Sequence, residues 1–137
     1  KSPGCNMLLR AINGALLGPK QEQVQLGGDL SVEHVMPQKW EAHWAPPEQL
    51  PADAEESAED RRARLIHTLG NLTLLTQSLN TDVSNGAYAT KRDKIAAQSL
   101  LMLNKHFQEV EAWDEGRIIE RGRALFATAL KLWPKAV

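Results

Sequence analysis

The dipeptide Glu33-His34, inside the run Val32-Glu33-His34-Val35-Met36-Pro37-Gln38, is the first place where residue types do more than build a core. A carboxylate is a hard oxygen ligand for a divalent cation. An imidazole with an ordinary pKa of about 6.5 can take a proton from water near neutrality. Hydrolysis of a phosphodiester asks for both. A strand sends neighbouring side chains to opposite faces, so the pair diverges unless the strand is kinked near its end, and Pro37 supplies such an end. On an arbitrary surface strand the same two residues would do nothing, so the dipeptide needs company before it means anything.

Company comes at Gly70-Asn71-Leu72-Thr73-Leu74-Leu75, followed by Asn80 and then Asn85. Asparagine beside an apolar strand is costly unless its amide is fully bonded. Turn formation explains Asn85 well, since Gly86 follows it. It explains Asn71 poorly, because a run of Leu and Thr comes directly after.

The elements that must position these residues follow from periodicity. Ser2-Pro3 and the spacing of Met7, Leu8, Leu9, Ile12, Leu16 and Leu17 predict an amphipathic helix over 3–17, stopped by Gly18-Pro19. Gly27-Gly28 marks a turn, and Leu30 to Met36 reads as a short strand. An irregular segment from Gln38 to about Ala52 holds Trp40, Trp44, Pro46, Pro47 and Pro51. Asp53 and Glu56 resemble a capping box opening a charged helix to about Leu65. Leu69 to Thr76 reads as the second strand, and Thr81 to Asn85 as a turn. A helix is expected from about Gly86 to Leu103, with Tyr88, Ile95, Ala96 and Leu103 on one face. A last helix is expected over 114–133, with Ile118, Leu125, Phe126, Ala129, Leu130 and Trp133 at helical spacing.

The chain has 137 residues, 42% hydrophobic and 24% charged, which suits one globular domain. It begins at Lys1, not at Met, and so reads as a piece of a longer protein. One cysteine, Cys5, excludes an internal disulfide framework and a multi-cysteine zinc knuckle. No apolar run approaches bilayer length and no signal pattern opens the chain, which predicts an intracellular, reducing setting. The net charge of −1 hides an asymmetry: residues 48–84 hold three basic against seven acidic residues, and residues 85–137 nine basic against six acidic. A strongly basic nucleic-acid clamp is therefore excluded; any grip on DNA must be local, metal-assisted or supplied by another domain.

The blocks Glu33 to Gln38, Leu69 to Asn80 and Ser84 to Arg92, in that order, resemble the C-terminal HNH (His-Me finger) nuclease domain of GmrSD-type, modification-dependent (type IV) restriction endonucleases. The stretch from Trp113 to Arg121 and the Leu132-Trp133-Pro134 end resemble the close of that domain. The resemblance implies an α+β, mostly helical fold: a ββα-metal core over about 30–98, made of a short two-stranded antiparallel sheet and a helix, surrounded by additional helices in a single domain. His34 then matches the general base, and Glu33 the acidic metal ligand beside it. Asn71 matches the middle asparagine that holds the histidine's loop, and Asn80 the last metal ligand, with Asn85 as its possible substitute. An H-N-N set with a carboxamide as its last member favours Mg²⁺ or Mn²⁺ over Zn²⁺, and no organic cofactor is expected. Lys91 and Arg92 are candidates for phosphate contacts, against the plain alternative of a solvated helix face. His67 is a candidate for the site or its surroundings; His43 and His106 are weaker. Trp40, Trp44, Trp113 and Trp133 are read as packing anchors. The resemblance further implies DNA as substrate, 5′-phosphate products, an N-terminal ParB-like nucleotide-hydrolysing domain in the full-length protein, and the bacterial cytoplasm as setting. The competing reading keeps the fold but has lost catalysis, leaving a DNA-binding or partner-docking module.

Overall fold

The computed structural model describes residues 3–17, 30–98 and 101–132. The expected turn at Gly27-Gly28, the helix stop at Gly18-Pro19 and the residues Trp133 and Pro134 lie outside them.

The first helix, α1, spans Pro3–Leu17 as its spacing predicts. Leu9 and Ile12, one turn apart, are fully buried, whereas Met7 and Leu16 face outward. Asn6 on the same helix donates to the Leu30 carbonyl at 2.8 Å and so ties α1 to the entry of the sheet.

Two strands follow, β1 at Ser31–His34 and β2 at Leu72–Leu75. They pair antiparallel, with Ser31 opposite Leu75 and His34 opposite Leu72. Both are shorter than their sequence pattern suggests, and for one reason. Residues Leu69–Asn71 form a 3-10 turn in which the Asn71 N–H bonds the Thr68 carbonyl at 3.0 Å, so β2 can begin only at Leu72. Its partner therefore ends at His34. Every residue of β2 is buried, which explains why Leu72-Thr73-Leu74-Leu75 shows no apolar–polar alternation. The sheet separates two cores. Leu9, Ile12, Leu30, Val32, Leu72, Leu74 and Leu125 pack together, while Val35, Met36, Leu75, Tyr88, Ile95, Phe107 and Trp113 form the other.

The connection between the strands contains α2, Ala58–Ile66. Its N-cap is Ser57, which accepts from the Asp60 N–H at 3.1 Å, and not the Asp53–Glu56 pair. Glu56 instead binds Arg64 at 2.7 Å on the surface, where the guanidinium holds its carboxyl below the usual range. The irregular part is pinned as expected of its tryptophans. Trp44 donates its indole N–H to Gly86 O at 2.9 Å, and Trp40 lies under the Arg62 guanidinium, 4.5 Å from the ring centre. Arg62 in turn forms a buried pair with Glu115 at 2.9 Å.

After β2 the chain departs most from its pattern. The expected turn at 81–85 is a one-turn helix, α3, at Thr81–Ser84. The long helix expected to Leu103 is two pieces, α4 at Tyr88–Ala96 and α5 at Met102–Lys105. The residues just after α4 serve the sheet. Gln98 accepts from the Thr76 N–H at 2.6 Å and donates to Gln77 O at 2.8 Å, and Asn104, on α5, donates to Leu74 O at 2.8 Å. These tertiary bonds override helix propensity, which is a weak prior. The last helix, α6, spans Glu115–Leu132, with Asp114 accepting from the Arg117 N–H at 2.9 Å. Ile118, Arg121 and Leu125 face inward, whereas Phe126 and Leu130 of the same helical spacing are exposed. None of the described helices is long and apolar enough to cross a membrane.

Candidate active site

The site is built around the turn that follows His34. Once β1 ends, Val35 donates its N–H to Asn71 O at 2.8 Å, and Met36 donates its N–H to Asn71 Oδ1 at 2.8 Å. The Asn71 amide nitrogen returns two bonds at 2.9 Å, to Met36 O and to Ile66 O. The indole N–H of Trp113 also donates to Oδ1, at 3.0 Å. Asn71 is wholly buried. Its four amide bonds use both donors and both acceptor lone pairs, so a polar group that would be costly in a core becomes a staple. It therefore positions the histidine's turn and cannot itself touch a substrate.

Glu33 and His34 have separate partners. Glu33 Oε2 accepts from Ser84 Oγ at 2.8 Å and lies 3.0 Å from Lys91 Nζ. His34 is half-buried, its ring 5.3 Å from that of His67 and edge-on to it. His67 is exposed and hydrogen-bonds Gln38 at 3.0 Å. His67 thus belongs beside His34; at His106, burial and then the nearby Arg121 push the ring below its usual range.

On the Glu33 side lies an open cleft of about 500 Å³, lined by Ser31, Glu33, Ser78, Thr81, Ser84 and Asn85 among others. Asn85, which caps the end of α3, shares this cleft with Glu33. Asn80 is the exposed N-cap of α3, its Oδ1 accepting from the Val83 N–H at 2.9 Å.

Lys91 and Arg92 do not have the placement expected of phosphate contacts. Lys91 is fully buried, its ammonium donating to His34 O at 2.5 Å and Ser84 O at 2.6 Å as well as facing Glu33. Arg92 donates to Phe107 O at 2.8 Å and to Gln108 O at 2.7 Å, which braces the residues after α5. Lys91 is thus spent inside the protein, while Arg92 stays partly exposed with its guanidinium on two carbonyls and near Asp93.

Three supports of the site lie inside the resembling blocks but carry no role in the site assigned from the sequence. Trp113 completes the Asn71 network. Arg121, on α6, donates to Gly70 O at 2.9 Å and Leu72 O at 2.7 Å, on either side of Asn71. Burial pushes its pKa down to about 9. Ser84 holds Glu33 from α3. The signs of Arg121 are its inward spacing with Ile118 and Leu125 and its place at the end of the Trp113–Arg121 stretch, and that of Ser84 is its place at the head of the Ser84–Arg92 block.

Among the described residues, no group of three or more His, Cys, Asp or Glu side chains converges to hold a metal ion. The oxygen donors nonetheless suit a hard cation that keeps much of its water. Oε1 of Glu33 makes no hydrogen bond among the described residues, and the Asn80 carboxamide oxygen has a second lone pair beyond its cap.

Two short antiparallel strands, a histidine ending the first, a buried asparagine introducing the second and helices crossing behind them define a mostly helical α+β domain with a ββα-like core. The chain belongs to the family of GmrSD restriction endonuclease C-terminal domains, which it matches over residues 6–128, nearly its whole length. Among curated proteins and among solved structures nothing matches it.

Proposed function

We infer that this domain is a metal-dependent DNA endonuclease of the HNH type, the cutting part of a restriction system. The observation that carries this reading is the Asn71 staple: a wholly buried amide spent on fixing the backbone two residues past His34. That fixes the backbone beside His34, as a base that must meet one water at one angle requires. In this reading His34 takes the proton of the water aligned with the scissile P–O3′ bond, and His67 lies edge-on beside it. Glu33 and Asn80, or Asn85 in its place, would hold one divalent cation, Mg²⁺ or Mn²⁺. When bound, that cation would stabilise charge on the phosphoryl and leaving oxygens. Products would carry 5′-phosphate and 3′-hydroxyl ends. Selection of modified DNA would rest with an N-terminal ParB-like nucleotide-hydrolysing domain, in the bacterial cytoplasm, and the near-neutral charge here supports that division of labour.

The test is conversion of supercoiled plasmid with Mg²⁺ or Mn²⁺, with and without EDTA. Replacing the base, His34→Ala, should slow cleavage by about 10² to 10⁴ while leaving the unfolding midpoint unchanged. Cutting that persists in EDTA, or a His34→Ala variant as fast as the parent, overturns the reading.

A further inference from the structure

A buried cation already stands in the site that is to receive one. Lys91 Nζ lies 3.0 Å from Glu33 Oε2 and donates to His34 O and Ser84 O, with no exposure to solvent. We propose that Lys91 sets the charge of the site so that the divalent cation is taken up together with the DNA phosphate and not before it. This rests on the nuclease reading and deepens it.

The affinity of an oxygen site for a hard dication rises with the number of charged ligands. Here the protein offers one carboxylate, and the charge of that carboxylate is matched by an ammonium in contact with it. No further His, Cys, Asp or Glu joins it to make a cluster of three among the described residues. Fixed charges a few ångströms apart inside a protein interact several times more strongly than in water, so the ammonium opposes the ion's entry. A phosphodiester brings a negative charge and two non-bridging oxygens, and so restores the balance that Lys91 removes. The same ammonium grips the carbonyl of His34, the proposed base, and that of Ser84, which holds Glu33. Lys91 is thus a positioning residue: it acts through Glu33 and His34 and touches no reacting atom.

Binding of Mn²⁺ to the full chain, read from the free-ion electron paramagnetic resonance signal, tests this without any turnover. The parent should bind Mn²⁺ only in the millimolar range typical of weakly charged oxygen sites. A DNA duplex, added in the non-cleaving His34→Ala background, should tighten binding at least tenfold. Without DNA, Lys91→Gln and Lys91→Met should each bind Mn²⁺ at least tenfold more tightly than the parent, and Glu33→Gln should abolish that gain. Lys91→Gln keeps a hydrogen-bond donor toward the two carbonyls, so it remains readable if Lys91→Met fails to fold. A lysine that merely supports the fold predicts the opposite, looser binding on its removal. Unchanged or weaker Mn²⁺ binding in folded Lys91→Gln overturns the proposal, as does a DNA duplex that leaves Mn²⁺ affinity where it was. Failure of the nuclease reading shows separately, as a parent that cuts no plasmid with any metal.

Discussion

Asn71 shows how much a single side chain can hold. Its amide joins the turn after β1, the end of α2 and Trp113 ahead of α6. Asn71→Asp keeps the size and both acceptors but loses both donors, leaving the Met36 and Ile66 carbonyls unmatched and burying a charge. We expect a loss of about 3 kcal/mol in urea unfolding, the cost of stranding such groups. Cleavage by the folded fraction should fall as well, because Met36 is no longer held two residues beyond His34. Asn71 was legible in the sequence because it stands against an apolar run where a free amide would be ruinous. Lys91, a candidate for phosphate contact or for a solvated helix face, is buried instead, and the pattern carries a sign of it: Tyr88, Lys91 and Ile95 are spaced at three and four residues and share one helical face, and all three are buried. A lysine on an apolar stripe invites the search for a buried carboxylate, and Glu33 was already in view.

Among the elements, α6 presses on the 3-10 turn that carries Asn71, and a glycine makes the approach possible. A Cβ at Gly70 would lie 1.9 Å from Ile118 O and 2.7 Å from Gly122 N, both backbone atoms that cannot swing away. At Gly122 a Cβ would meet nothing closer than 3.5 Å. The two facing glycines should therefore respond differently. Gly70→Ala is expected to cost about 3 kcal/mol through overpacking, and Gly122→Ala to be neutral or stabilising by up to about 1 kcal/mol from helix propensity; thermal unfolding separates them. Helix α4 is tied to the stretch before α6 by Tyr88, whose buried hydroxyl donates to Val110 O at 2.7 Å. Burial raises its pKa from 10.0 to about 12. The folded state thus keeps a proton that the unfolded chain releases first, so this stability is complete below pH 10 and drains away as pH rises toward 12. Wild type should lose about 1 kcal/mol relative to Tyr88→Phe between pH 10 and 11, read from urea midpoints. Element types and order were mostly legible from periodicity. Their ends were not, because Asn71, Gln98 and Asn104 set them through side-chain bonds between segments far apart in sequence, which no local pattern records.

For the whole molecule, charge decides what the domain can do alone. The net charge is −1, and three cations around the site are engaged within the protein: Lys91 with Glu33, Arg92 with two carbonyls, Arg121 with the residues flanking Asn71. The excess of basic residues after position 85 was legible as composition, but its use was not, since burial decides whether a cation faces DNA or the interior. Few phosphates can then be gripped at once. Each neutralised phosphate contributes a slope of about 0.9 in the logarithm of affinity against that of salt. With about two such contacts, binding of the domain to duplex DNA should weaken only about tenfold between 50 and 200 mM salt, with little dependence on sequence or modification. Fluorescence anisotropy of a labelled duplex across that range, using His34→Ala to prevent cutting, measures the slope directly. A fall of a thousandfold would mean six or more phosphate contacts and a DNA clamp of the domain's own. In that case targeting could not be assigned to a separate domain on the ground of charge.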